Sequence, residues 1–144
     1  MEKELATLEE LQEEAARFAR GLAPAEDRAT LITLSGELGA GKTSYTQGLA
    51  KELGILEPIT SPTFVLEKVY GLPEGSNFNQ LVHIDAYRLE GEKSLVPLGF
   101  SDLYADPYTL IVLEWPELVA SQLPGADARI TLAVSGNGRT ISYT

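Results

Sequence analysis

At 144 residues, with 44% hydrophobic and 22% charged residues, the chain fits one globular domain, 1–144, able to bury a single core. The absence of cysteine excludes disulfides, thiol catalysis and Cys-ligated zinc, and a single His excludes a His-rich metal site. Eleven Lys plus Arg against 21 Asp plus Glu give a formal net charge of -10, a poor surface for RNA or DNA, whose phosphates reward positive charge.

The amino terminus, Met1-Glu2-Lys3-Glu4, lacks the basic-then-apolar order of a signal peptide. No apolar stretch approaches the roughly 20 residues that span a bilayer. The expectation is a cytoplasmic protein without a membrane partner. Thr7-Leu8-Glu9-Glu10 has capping-box order and precedes apolar residues at Leu8, Leu11, Ala15, Phe18, Ala19 and Leu22, which predicts an amphipathic helix ending near Gly21. Glu9, Glu13, Glu14 and Arg17 fall on its other face, read as solvated.

Thr30 to Ser35 is an apolar, β-branched strand, and Lys42 to Leu53 a helix stopped by Gly54. A strand is predicted from Phe64 to Tyr70, a polar turn from Gly71 to Asn79, and a strand over Leu81-Val82-His83-Ile84 ending at Asp85. Glu90 to Leu103 reads as a helix broken by Pro97 and Gly99. Thr109 to Leu113 is almost wholly apolar, as in a strand buried on both faces, and runs into Glu114. A short helix from Pro116 to Leu123 follows, then a hairpin of Arg129–Ser135 and Arg139–Tyr143 around Gly136-Asn137-Gly138. Alternating strands and helices predict an α/β fold: a mixed, mostly parallel sheet of the P-loop NTPase type, flanked by helices, with a carboxy-terminal β-hairpin.

Between the 30–35 strand and the helix after it lies Gly36-Glu37-Leu38-Gly39-Ala40-Gly41-Lys42-Thr43, the spacing of a phosphate-binding P-loop. Backbone amides can curl around triphosphate oxygens only where side chains are small, a demand met by Gly36, Gly39, Ala40 and Gly41. The helix beginning near Lys42 aims its unpaired amides and positive dipole end at the same anion. Lys42 is expected to reach the β and γ phosphates, and the Thr43 hydroxyl to ligate Mg2+.

A nucleotidase of this type needs an acid at the end of a neighbouring buried strand, to hold the metal and polarise the attacking water. Glu114 and Asp85 both qualify, and either could instead cap a nearby helix. Ser61-Pro62-Thr63 fits a nucleotide-sensing loop or a plain Ser/Thr turn. Arg88 could serve a transition state or a surface salt bridge. Trp115 could lie under the site or fill the core. His83 reads as a packed or hydrogen-bonded histidine outside the mechanism.

Taken together, the P-loop, Ser61-Pro62-Thr63-Phe64, His83-Ile84-Asp85-Ala86-Tyr87-Arg88-Leu89, Leu98-Gly99-Phe100 and Leu113-Glu114-Trp115-Pro116-Glu117 resemble the TsaE family, formerly YjeE, in order and spacing over nearly the whole chain. The resemblance implies a Mg-dependent ATPase of tRNA threonylcarbamoyladenosine synthesis. ATP and Mg2+ would bind along Gly36 to Ser44, with Thr43 and Glu114 as metal ligands, Asp85 near the γ phosphate and its metal, and Lys42, Asp85 and Glu114 as the catalytic set. Ser61 and Thr63 would form a switch-like segment. Glu4 or its neighbours and Gly138 would face the nucleoside, and Ser44 stands where the family often has a second Thr. Two partners are implied, TsaD and TsaB, which modify adenosine 37 of tRNAs reading codons that begin with A, so that tRNA is met only indirectly. That division of labour agrees with the acidic charge.

Other classes remain open on residues alone. A small-molecule kinase uses the same loop but needs an acceptor pocket and usually an arginine-bearing lid. A GTP switch would carry an Asn-Lys-x-Asp stretch, and none is present. A nucleotide-binding scaffold without hydrolysis differs only in turnover.

Overall fold

The computed structural model describes residues 1–62, 66–89 and 91–144. The expectations for Thr63, for Phe64 and Val65 as strand residues, and for Glu90 as a helix start therefore lie outside the described residues. The strands are β1 (Glu2–Leu5), β2 (Thr30–Ser35), β3 (Glu67–Gly71), β4 (Gln80–Asp85), β5 (Thr109–Glu114), β6 (Ala128–Ser135) and β7 (Gly138–Tyr143). The α-helices are α1 (Leu8–Arg20), α2 (Lys42–Glu52) and α3 (Phe100–Tyr104).

Among the described residues the seven strands form one sheet in the order β1-β7-β6-β2-β5-β4-β3. The pairings β6–β2, β2–β5 and β5–β4 are parallel, whereas β1–β7, β7–β6 and β4–β3 are antiparallel. Five strands thus run one way and only β3 and β7 oppose them, which is the expected mixed, mostly parallel α/β sheet with a carboxy-terminal hairpin. Because β2, β5 and β4 are parallel neighbours, their carboxyl ends Ser35, Glu114 and Asp85 emerge together. Ligands of open α/β sheets bind outside such strand ends.

Burial on both faces explains the apolar runs. Ile32 and Leu34 of β2 and Leu110 and Val112 of β5 join the core under α1 and α2. Their neighbours Leu31, Ile111 and Leu113 face the other way and pack with Val82, Ile84, Leu95, Phe100 and Val119. Strand alternation thus splits one apolar run between two cores.

The capping box of α1 forms as its sequence demands: Thr7 accepts from the Glu10 amide and Glu10 returns a bond to the Thr7 amide. The face read as solvated needs correction at Glu14, which is 6% exposed. Lys3 on β1, Arg17 and the Tyr143 hydroxyl on β7 all donate to its carboxylate. The sequence reading contained no β1, the strand that brings Lys3 to Glu14, and no pairing that brings Tyr143 there.

Among the described residues the predicted Phe64–Tyr70 strand starts only at Glu67, because Leu66 takes a left-handed φ of 69 that a strand cannot hold. Two other elements differ in detail. The 116–123 helix is a 3-10 segment, Pro116–Gln122, kinked at Val119. The broken 90–103 helix is a 3-10 turn, Val96–Leu98, separated from α3 by Gly99 at φ 71. Among the described residues no helix is long and apolar enough to cross a membrane.

Candidate nucleotide-binding site

The loop after β2 has the backbone that its glycines permit. Gly36, Gly39 and Gly41 take φ values of 151, 82 and 108, and a Cβ at Gly36 would drive into the Leu132 carbonyl. The two long helices begin differently. α1 is closed by its Thr7 cap and has Glu9 and Glu10 in its first turn, whereas α2 begins at Gly41 with no side-chain cap and no first-turn acid. Nothing on α2 itself competes with an anion for its first amides.

Lys42, only 6% exposed, donates from Nζ to the carbonyls of Gly36 and of Glu37 (3.1 Å) and lies 4.3 Å from the centre of the Trp115 ring. Burial lowers its pKa, and the nearby carboxylates of Glu114, Asp85 and Glu117 oppose that shift. Trp115 takes a left-handed φ of 62, its amide bonded to the Leu34 carbonyl at 3.1 Å. For a bulky residue that backbone costs roughly 1 kcal/mol or more, and here it sets the indole beside the lysine.

Asp85 and Glu114 are direct cross-strand partners at the ends of β4 and β5, both nearly fully buried. Asp85 Oδ1 accepts from the Tyr87 amide at 2.9 Å. Glu114 Oε2 is 2.6 Å from Nε2 of His83, whose ring is wholly buried. His83, set aside in the sequence reading, thus grips one of the two candidate acids. The contact follows from the strand register, in which His83 pairs with Val112 and so lies diagonal to Glu114 on one face of the sheet, and no local sequence pattern states that register.

These groups meet in a cleft of ≈ 590 Å³. Of the predicted site residues, Leu38, Gly39, Gly41, Lys42, Thr43, Ser44, Ser61, Asp85, Glu114 and Gly138 line it. Gly36, Glu37 and Ala40 belong to the loop but not to the lining, and Gly36 and Glu37 contribute the carbonyls that hold Lys42. Glu4 is outside the lining, paired with Thr140 on β1, while its neighbours Leu5 to Leu8 form that wall. Gly138 is where the hairpin meets them: a Cβ there would collide with the Leu5 carbonyl and stand 3.2 Å from Ala6 Cα. Arg139, absent from the predicted set, also lines the cleft and donates to the loop carbonyls of Gly39 and Ala40.

Among the described residues no three or more His, Asp or Glu side chains are grouped so as to hold a metal ion by themselves. Thr43, Asp85 and Glu114 instead offer a hydroxyl and two carboxylates around one cleft. An all-oxygen set of one or two carboxylates suits Mg2+, which keeps waters and takes phosphate oxygens for its remaining positions.

Comparison with known proteins identifies the family. A family model described as "Threonylcarbamoyl adenosine biosynthesis protein TsaE" matches residues 6–141. The tRNA threonylcarbamoyladenosine biosynthesis protein TsaE of Bacillus subtilis (strain 168) is 37% identical over 115 residues, 79% of this chain and 68% of that one. The protein of the same name from Treponema pallidum (strain Nichols) is 39% identical over 113 residues, 78% of each chain. Among solved structures, the crystal structure of Bacillus subtilis YdiB superposes with a TM-score of 0.76 at 27% identity, covering 99% of this chain and 83% of that one. Because the family match spans the glycine loop, both strand-end acids and nearly all of the hairpin, the chain belongs to the TsaE family.

Proposed function

We propose that this protein is a Mg-dependent ATPase that works with TsaD and TsaB partners in forming threonylcarbamoyladenosine at position 37 of tRNAs reading A-starting codons, and meets tRNA only through those partners. The observation that carries the reading is the convergence of the uncapped α2 amides, Lys42, Thr43, Asp85 and Glu114 on one cleft. Family membership supports the pathway, and a net charge of -10 supports leaving the tRNA contact to others.

The chain's own groups divide the work. Loop amides and the α2 terminus bind the triphosphate, and Lys42 neutralises charge that builds on its outer oxygens. Thr43 and Glu114 would hold Mg2+, which supplies further neutralisation of the phosphates when bound. His83, 2.6 Å from Glu114, would orient that carboxylate, and Asp85, held by the Tyr87 amide, or Glu114 itself would accept a hydrogen bond from the attacking water. The buried carboxylates and the indole of Trp115 keep bulk water from the lysine.

The test is ATP consumption by the purified protein, alone and with TsaB, TsaD and tRNA. Lys42→Ala should lower turnover at least about 100-fold, and Glu114→Gln should make it nearly insensitive to added Mg2+. Turnover of the Glu114 variant equal to wild type would remove the metal assignment, and ATP phosphate recovered on a metabolite in place of water would make the protein a kinase.

A further inference from the structure

We infer that Arg139 is a positioning residue for the phosphate loop, clamping it to the carboxy-terminal hairpin so that the grip on the triphosphate depends on how that hairpin is seated. The inference rests on the reading of the cleft as a nucleotide site. Its observation is separate from the loop motif: one guanidinium donates from Nε to the Ala40 carbonyl at 3.1 Å, from Nη2 to the Gly39 carbonyl at 2.9 Å, and from Nη1 to the Gly138 carbonyl at 2.8 Å.

Three features make this a clamp. The Nε and Nη2 donors form one edge of the planar fork, so successive loop carbonyls are held together with fixed relative orientation, which a point charge cannot do. A trans peptide directs its C=O and N–H oppositely, so fixing the Ala40 carbonyl also fixes the Gly41 amide, while fixing the Gly39 carbonyl holds the Ala40 amide in its 3.0 Å bond to the Glu37 carbonyl, which closes the loop's internal turn. A carbonyl bonded to a cation polarises its own peptide and strengthens that N–H as a donor. The base of the side chain is equally determined, because Arg139 pairs with Leu5 on one side and Val134 on the other, between β1 and β6. Glycines alone leave the loop many conformations; the Arg139 contacts favour one of them, and preorganisation of that kind appears as affinity.

The experiment uses the full chain and the fluorescence of Trp115, its sole tryptophan, which lines the cleft beside Lys42. ADP and ATP with Mg2+ are titrated into wild type, Arg139→Ala, Arg139→Lys and Lys42→Ala, and melting temperatures and steady-state ATP hydrolysis are recorded for each. The expected result is a Kd for ADP raised about tenfold or more in Arg139→Ala, with Arg139→Lys between that variant and wild type, and a rise in KM for ATP larger than the fall in kcat. Unchanged Kd in Arg139→Ala, or full recovery in Arg139→Lys, overturns the clamp, the latter because charge alone would then suffice. A melting temperature that falls while Kd stays at the wild-type value assigns the contacts to structure only and also overturns it. Should Arg139→Ala not fold, the lysine variant decides, since it keeps the charge and the stem but loses the fork. Failure of the nucleotide reading itself looks different: wild type would then show no ADP response, or Lys42→Ala would bind as wild type does.

Discussion

His83 changes what the two acids can be asked to do. Its Nε2 lies 2.6 Å from Glu114 while the ring is fully buried, so it fixes in one orientation the carboxylate that the proposed mechanism assigns to the metal. Partners that orient a metal-holding side chain typically matter 10- to 100-fold for metal affinity or activity. His83→Ala should therefore lower kcat by about 10- to 100-fold while ADP affinity, which the proposed mechanism assigns to the loop amides and Lys42, changes by less than about threefold. Equal losses in both quantities would show that the histidine supports the whole cleft instead of one carboxylate. Lys42, Thr43, Glu114 and Asp85 were legible in the sequence because each is tied to a local signal, a glycine-bracketed loop or the end of an apolar run. The engagement of His83 was not, since it depends on the parallel register of β4 on β5, which no local pattern states. Arg139 was hidden for the same reason, lying about 100 residues from the carbonyls it binds.

The two long helices, α1 and α2, meet backbone to backbone. Gly48 on the buried side of α2 faces the backbone of α1, where a Cβ would stand 2.6 Å from the Gln12 carbonyl oxygen and 2.8 Å from its Cα. Backbone cannot move aside as a flexible side chain can, so the helices would have to separate. Overpacking of this kind costs about 1–3 kcal/mol, against up to about 1 kcal/mol gained from the better helix former. Gly48→Ala should thus destabilise the fold by about 1–2 kcal/mol, measured by urea denaturation, and a stabilised variant would contradict the close approach. Periodicity and capping chemistry made α1, β2, α2, β5 and the hairpin readable, since each satisfies its own backbone and announces its buried face. β1 was not readable: Glu-Lys-Glu-Leu has no apolar alternation, and it is a strand only because β7 offers an edge.

Over the whole molecule, the first and last strands are joined through a buried ionic group. Glu14 on α1 takes bonds from Lys3 on β1, Arg17 and Tyr143 on β7, and the Tyr143 hydroxyl is 3.0 Å from that of Tyr45 on α2. Burial by itself would raise the Glu14 pKa, but hydrogen bonds from Arg17, Tyr143 and Lys3 outweigh it and hold the group at about 2, below its ordinary 4.5. A carboxyl depressed in the folded state stabilises fully above its unfolded pKa and loses that contribution as pH falls through the folded value. Stability should therefore decline between about pH 5 and pH 2, by on the order of 2–3 kcal/mol from this group. Chemical denaturation across that range should show a shallower decline for Glu14→Gln, and a slope identical to wild type would place the acid sensitivity elsewhere.

The meeting of β1 with β7 also bears on the order in which the protein can become competent. Residues that make the phosphate loop are complete early in the chain, yet the wall of Leu5 to Leu8 and the Arg139 fork come together only when strands about 135 residues apart have paired. Contacts so distant in sequence carry the largest loop-closure entropy and form late. A nascent polypeptide that has emerged only as far as Ser135 holds the loop, both carboxylates and the lysine, but it cannot yet close the cleft around anything.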